Sequence, residues 1–365
     1  MSFERPTLHL SRGAVAENVR RMRAGGPVMA VVKADGYGHG AVAVATAAVD
    51  AGAEWLGVTD VAEGVLLRES GIETPVLAWL HPAGIDAALA AAYGVDVAVA
   101  SADELAELIE DAAVGAADPV RVHLHLDTGM ARGGCPVRDW ERMLSLARSG
   151  SDAGRLRVVG VMGHLPDADL ADPTANVPWV MRMRHARDAA LRAGLAPLIT
   201  HLGATAAALT DPSTRFDLMR VGAGLVGIDP SGTVELAQAG RLTAPVVHSS
   251  QVEENTRIGY GGTHLTDRRT NISVLGLGYA DGIPRELSRE ACVEIGDRRH
   301  RIVGRVSMDQ IVVDTGDLSC PRGSIATVFG PGGAAPSVQE WAEWAGTIPH
   351  TIVTGIGSRV VRRTA

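Results

Sequence analysis

The chain has 365 residues, 46% of them hydrophobic and 21% charged, a balance that fits a globular protein of two domains. Its formal net charge of −8 and the lack of a basic stripe argue against nucleic acid as a partner. No apolar run is long enough to span a membrane, and the three cysteines, Cys135, Cys292 and Cys320, show neither a disulfide framework nor zinc-ligand spacing.

The opening stretch, MSFERPTLHLSRGAVAENV, lacks a signal peptide's basic-then-apolar order, so a cytoplasmic address is expected. An unbroken apolar run, Val28 to Val32, follows and reads as a fully buried parallel strand. It ends on Lys33 and turns at once into Gly36-Tyr37-Gly38-His39-Gly40. An ammonium at the mouth of an apolar strand loses hydration, which lowers its pKa and suits it to act as a nucleophile or proton acceptor. The plain alternative is a lysine that snorkels out of the strand end.

Strand candidates then recur at Trp55–Thr59, Pro75–Leu80, Val95–Ala100, Val120–Leu126, Leu156–His164, Pro197–Leu202 and Phe216–Val221. Amphipathic alanine-rich stretches such as Ala102–Ala113 and Trp179–Ala193 lie between most of them. Eight β–α units in about 200 residues is the count for an α/β fold of the (β/α)8, TIM-like barrel type. A doubly wound open sheet is the alternative, since periodicity does not show closure. From about Glu235 short alternating runs take over, in PVVHSSQVEEN, TNISVLGLGYADG, ACVEIGDRRHRIVGRVSMDQIVVD and SIATVFG. The expected division is therefore a barrel over 1–234 and a mostly β C-terminal domain over 235–365.

The string AVVKADGYGHG closely resembles the pyridoxal-phosphate attachment site of the alanine racemase family. The resemblance spans nearly the entire chain, and it implies the same barrel followed by a β domain. It matches Lys33 to the lysine that binds the cofactor covalently, and Tyr37 to a tyrosine that reaches the phosphate. In HLDTGMARGG, Arg132 matches an arginine that helps bind the substrate carboxylate. In MGHLPDAD, His164 matches a histidine beside the cofactor ring that hydrogen-bonds the catalytic tyrosine. In THLGATAA, Thr205 stands for the family's phosphate-binding serine; its plain reading is an N-cap threonine. In LMRVGAG, Arg220 matches the arginine facing the pyridine nitrogen, while Gly222 and Ala223 would offer N–H groups to the phosphate. In GLGYADG, Tyr279 matches the catalytic tyrosine delivered into the partner subunit's site; in GRVSMDQ, Met308 offers an N–H to the substrate carboxylate.

What the resemblance implies is an isomerase that uses pyridoxal 5'-phosphate to interconvert L- and D-alanine for D-alanine biosynthesis. It implies two bases, Lys33 and the Tyr279 of the other protomer, in a homodimer with composite active sites. Its partners are thus an amino-acid substrate and a second copy of the chain, with neither nucleic acid nor membrane among them. Some matched positions differ. His125 stands where most members carry a lysine that is often carbamylated, Ala204 replaces an asparagine, Ser307 a cysteine, and Thr364 and Val226 tyrosines. These departures leave open a racemase for another amino acid or a non-catalytic cofactor-binding protein. A decarboxylase is disfavoured by GYADG and GRVSMDQ. A metal-binding reading of His123, His125 and Asp127, at i, i+2 spacing on one strand face, stands beside a structural one.

Overall fold

The computed structural model describes residues 4–170, 172–196 and 198–365. The chain divides into two compact units, one holding Val15–Gly36 and Val44–Leu236, the other Tyr37–Ala43, Ala237–Ala365 and the residues up to Ala14.

In the first unit the eight expected strands all form. In chain order they are β2 (Val28–Val31), β3 (Trp55–Val58), β4 (Val76–Ala78), β5 (Val95–Val99), β6 (Val120–His125), β7 (Leu156–Met162), β8 (Ile199–His201) and β9 (Met219–Val221), after a first strand β1 (Thr7–Leu10) that belongs to the other unit. Pro197, where the seventh candidate was expected to begin, lies outside the described residues. The sheet order is β8-β7-β6-β5-β4-β3-β2-β9, with every pair parallel. Two backbone hydrogen bonds join the ends of this series, from Asp217 N–H to Thr200 O at 3.0 Å and from Arg220 N–H to Gly203 O at 3.1 Å. The sheet is therefore a near-closed barrel rather than a doubly wound open sheet.

The apolar runs explain these strands, since β2, β3 and β4 are buried along their whole length. The helix Ala102–Gly115 starts where Ser101 accepts the Glu104 N–H at 3.0 Å, and Glu104 returns a carboxylate oxygen to the Ala100 N–H at 2.6 Å. It buries Ala102, Leu105, Leu108 and Ala112 and turns its acidic face outward. Among the described residues, no helix is long and apolar enough to cross a membrane, and all three cysteines are buried and free.

The second unit is built on β10 (Gly240–Val252), a 13-residue strand with register shifts at Leu242/Thr243 and Val246/His248. It is followed by a short ribbon of β11 (Arg257–Ile258) and β12 (His264–Leu265), then by β13 (Thr270–Leu275), β14 (Cys292–Ile295), β15 (Arg298–Arg301), β16 (Ile311–Gly316), β17 (Ile325–Phe329) and β18 (Val361–Thr364). The main sheet runs β15-β14-β17-β10-β1-β18, with β13 also on β10 and β16 on β13. The N-terminal strand β1 thus pairs antiparallel with β10 and parallel with β18. Phe329, Trp341, Leu8 and Leu10 are among the largest fully buried side chains of this unit.

Candidate active site

Lys33 leaves β2 at the C-terminal mouth of the barrel, where barrel enzymes place their chemistry. The backbone after it turns left-handed, with φ of 53° at Ala34, 54° at Asp35, 61° at Gly36 and 54° at Tyr37. Each non-glycine residue in that region costs about 1–2 kcal/mol, so the turn persists only because other contacts hold it. Gly36 N–H donates to Val32 O at 2.8 Å. Glu63, in the helix Val61–Glu69, accepts the Ala34 N–H at 2.9 Å and, through its second oxygen, the Thr59 N–H at 2.6 Å. Glu63→Ala should therefore destabilise the fold by about 1 kcal/mol, the loss of two hydrogen bonds whose donors water can partly reach. A denaturant melt checks this, and an unchanged midpoint would show that the turn holds itself.

Burial and the neighbouring Arg132 lower the Lys33 pKa below the ordinary lysine value; Arg220 adds to the effect and Glu63 opposes it. The ammonium also lies 5.8 Å from the centre of the Trp79 ring.

Arg220, on β9, is almost fully buried and makes its contacts as a donor alone. One terminal nitrogen donates to His201 Nδ1 at 2.9 Å and His201 O at 3.0 Å. The other donates to Gly163 O at 2.7 Å, Leu202 O at 3.0 Å and His164 Nδ1 at 3.1 Å. Burial pulls this guanidinium down to about 10, which still leaves it charged at neutral pH. Because a guanidinium cannot accept, both histidines must present a bare Nδ1 and carry their proton on Nε2. Burial and Arg220 push His164 down to about 3 and His201 well below its ordinary value, so both rings are neutral. Thr128 clasps His164 from the other side: its hydroxyl donates to His164 O at 2.5 Å and accepts the His164 N–H at 3.1 Å.

Thr205 is the first residue of the short helix Thr205–Thr210, and Ala204 is its N-cap, which corrects the N-cap reading of this threonine. Its hydroxyl instead accepts from Gly222 N–H and Gly224 N–H, both at 3.2 Å. The Gly222 amide is thus turned toward Thr205, and Ala223 follows it in a buried turn.

Arg132 is exposed on the loop after β6. Asp127 shapes that loop, accepting the Gly129 N–H at 2.9 Å and the Ala131 N–H at 3.1 Å. The metal reading of this stretch fails on the same facts. Asp127 is spent on the loop, and His123 uses both nitrogens, toward His201 at 2.9 Å and Asp96 at 3.3 Å. His125 is neutral, pushed down to about 4 by burial and by Arg220, and its buried Nδ1 has no partner among the described residues.

The second unit carries Tyr37, Tyr279 and Met308. Burial pushes the Tyr37 phenol up to about 12, so it remains a hydrogen-bond donor. Gly38 beside it has φ +79°, and a Cβ there would lie 2.1 Å from Val353 O, so only glycine fits. Tyr279, 40% exposed, opens a tight turn whose backbone is tied to the Met308 string: Tyr279 N–H donates to Ser307 O at 3.0 Å and Ala280 N–H to Met308 O at 2.9 Å. Buried Asp281 accepts the Gly278 N–H at 2.8 Å and a forked pair from Arg359 at 2.9 and 3.0 Å. Arg359 also reaches Asp309 at 2.7 Å, fixing both strings to one point. Glu63, Thr128 and Arg359 were not singled out from the sequence. Thr128 lies inside the string HLDTGMARGG, whereas Glu63 is 29 positions from Ala34 and Arg359 is 78 from Asp281, so nothing local pointed to those two.

Together these features define a barrel enzyme organised around a strand-end lysine, joined to a β-rich unit that presents an exposed tyrosine. Residues 10–230 match the N-terminal domain of alanine racemase and residues 239–364 its C-terminal domain. An alanine racemase of Salinispora tropica is 41% identical over 96% of this chain and 95% of its own length. One of Thermobifida fusca is 42% identical over 93% and 91%. The crystal structure of alanine racemase from a D-cycloserine-producing Streptomyces lavendulae superposes with a TM-score of 0.94 at 33% identity, covering 100% of this chain and 98% of that one. The chain belongs to the alanine racemase family. Its activity is that of an isomerase that racemises alanine, in a family known to depend on pyridoxal phosphate.

Proposed function

We propose that this chain inverts alanine by passing the α-proton between Lys33 of one subunit and the partner subunit's Tyr279. The observation that carries the reading is Lys33 itself, an amine at the barrel mouth whose charged form is disfavoured by burial and by Arg132. Such an amine is available as a base and as a nucleophile.

The residues fit pyridoxal 5'-phosphate. Both acceptor positions of the Thr205 hydroxyl are taken by Gly222 and Gly224, so its own proton can only be donated, as a phosphate oxygen requires. The resemblance adds the Ala223 N–H and the Tyr37 phenol, which burial keeps protonated, as phosphate donors, with Gly222 acting through Thr205. Lys33 provides the covalent anchor. Arg220, charged and unable to release its proton, would meet the ring nitrogen, as the resemblance implies. When bound, the cofactor supplies an electron-withdrawing ring that acidifies the α-carbon.

The chain's own groups then handle the proton. Arg132 and the Met308 N–H hold the substrate carboxylate. His164, with Nδ1 committed to Arg220, offers only Nε2–H, a donor suited to stabilise the anion of the partner subunit's Tyr279. The protein is proposed to work as a homodimer with two composite sites, at a cytoplasmic address.

The test is a visible spectrum before and after borohydride, peptide mapping of the reduced lysine, and racemisation rates over a panel of amino acids. The reading requires a modified Lys33 and alanine as the fastest substrate; label on another lysine would overturn it. Thr205→Val should weaken cofactor binding about tenfold, because it removes one donor and strands two N–H groups. Thr205→Ser should restore it, read by fluorescence titration of cofactor.

A further inference from the structure

Behind Arg220 lies a line of polar groups that the reaction does not require to touch substrate or cofactor. His201 Nε2 meets His123 Nδ1 at 2.9 Å, and His123 Nε2 meets Asp96 Oδ2 at 3.3 Å. Asp96 is then held by Arg121, Nε to Oδ1 at 2.6 Å and Nη2 to Oδ2 at 3.2 Å. Asp96, His123 and His201 are at most 1% exposed, whereas the Arg121 side chain is 37% exposed. The line therefore runs from β9 through β8 and β6 to β5, and out to solvent at Arg121.

Its direction is forced at both ends. Arg220 can only donate, which bares His201 Nδ1 and puts the ring's proton on Nε2. That proton goes to His123 Nδ1, leaving His123 Nε2–H for Asp96, a carboxylate that can only accept. Both imidazoles are thus fixed in one tautomer.

The barrel is adapted to this line in two further ways. His123 on β6 and His201 on β8 meet across β7, and the residue of β7 in register with His123 is Gly160. A Cβ at Gly160 would lie 2.5 Å from His123 Nδ1, so any side chain there would part the two rings. Trp55 on β3 packs edge-on against His123, with ring centres 5.4 Å apart at 79°. Barrel interiors are ordinarily filled by branched apolar side chains, which would occupy these positions without burying a carboxylate and two imidazoles.

We propose that Asp96 and His123 are positioning residues for racemisation: through His201 they anchor the Arg220 guanidinium in the plane and place from which it meets the cofactor ring. The inference rests on the reading of Arg220 given above. Without His123, the His201 Nε2–H is buried and unpaired, its ring relaxes, and Arg220 loses one of the two side-chain acceptors that orient it, the other being His164. The carboxylate of Asp96 also places a negative charge in line with a buried guanidinium that has no ion-pair partner among the described residues.

Nitrogen-15 NMR of histidine-labelled holoenzyme tests the line directly. His201 and His123 should both show an unprotonated Nδ1 and a protonated Nε2 throughout the neutral range. An Nδ1–H tautomer or an imidazolium at either ring overturns the proposal. His123→Leu and His123→Asn form the second test, since asparagine keeps an acceptor near the Nδ1 position and leucine has none. His123→Leu should lower kcat about tenfold or more, as expected for an orphaned buried donor, with KM for alanine little changed. His123→Asn should recover most of that loss. Equal kcat in the two variants, or a change confined to thermal stability, would show a merely structural role. If His123→Leu does not fold, Asp96→Asn gives the same comparison by removing the charge while keeping an acceptor. It should lower kcat, and wild-type kcat would count against the line. A failed racemisation assay sinks the functional reading and leaves the tautomer test standing; normal racemisation in every variant sinks only the present inference.

Discussion

Lys33→Ala should lower alanine racemisation by about four orders of magnitude, the upper end of what a positioned acid–base group supplies. The size follows from the double duty proposed for this amine, which both anchors the cofactor and handles the proton. The surroundings do not offer a substitute. Arg132 and Arg220 share its electrostatic neighbourhood, but guanidinium groups do not give up protons near neutral pH. The protein should still fold, because truncation at the strand end leaves the left-handed turn and its Glu63 contacts in place. Initial rates in both directions, together with borohydride labelling, check the result. Residual activity within tenfold of wild type would remove Lys33 from the chemistry.

Tyr279→Phe should be nearly as damaging, by about 10²–10⁴ in both directions, because each inversion needs one group to remove a proton and the other to return it. The two variants should differ in solvent exchange. With Tyr279 gone, Lys33 can still exchange the α-proton of one enantiomer for deuterium, while the other enantiomer stays unexchanged. Mixing denatured Lys33→Ala and Tyr279→Phe protomers and refolding them together tests whether the groups come from different chains. A statistical mixture of two-fold dimers should regain roughly one quarter of wild-type activity, since each heterodimer assembles one intact site. No recovery would place both groups in the same chain. The exposed setting of Tyr279, on a turn braced by Asp281 and Arg359, suits delivery to a neighbouring subunit.

The barrel strands were legible because each is a local apolar run; Val28 to Val31 needs no knowledge of its neighbours to read as a buried strand. Closure was not legible, because it depends on two hydrogen bonds between residues around Thr200 and Arg220. The strands β1 and β18 were missed for a related reason. Thr-Leu-His-Leu and Val-Arg-Arg-Thr carry little pattern of their own and become strands by pairing with each other and with β10. At the candidate site, resemblance pointed to residues on continuous strings, such as Lys33 and Tyr279. It was silent on what links the strings. His123 and His201 are 78 positions apart and meet only because β6 and β8 flank a glycine, while Arg359 reaches Asp281 across a similar span. The left-handed turn after Lys33 was hidden too, since alanine and tyrosine rarely adopt positive φ.

The placement of β1 between β10 and β18 bears on how this protein can be dissected. A fragment starting at residue 237 would lack an interior rung of its own sheet, leaving two strands with bare amide edges that invite aggregation. Newly made chains face the same gap until translation has delivered β18, so Thr7–Leu10 must wait, unpaired on one side, for Val361–Thr364.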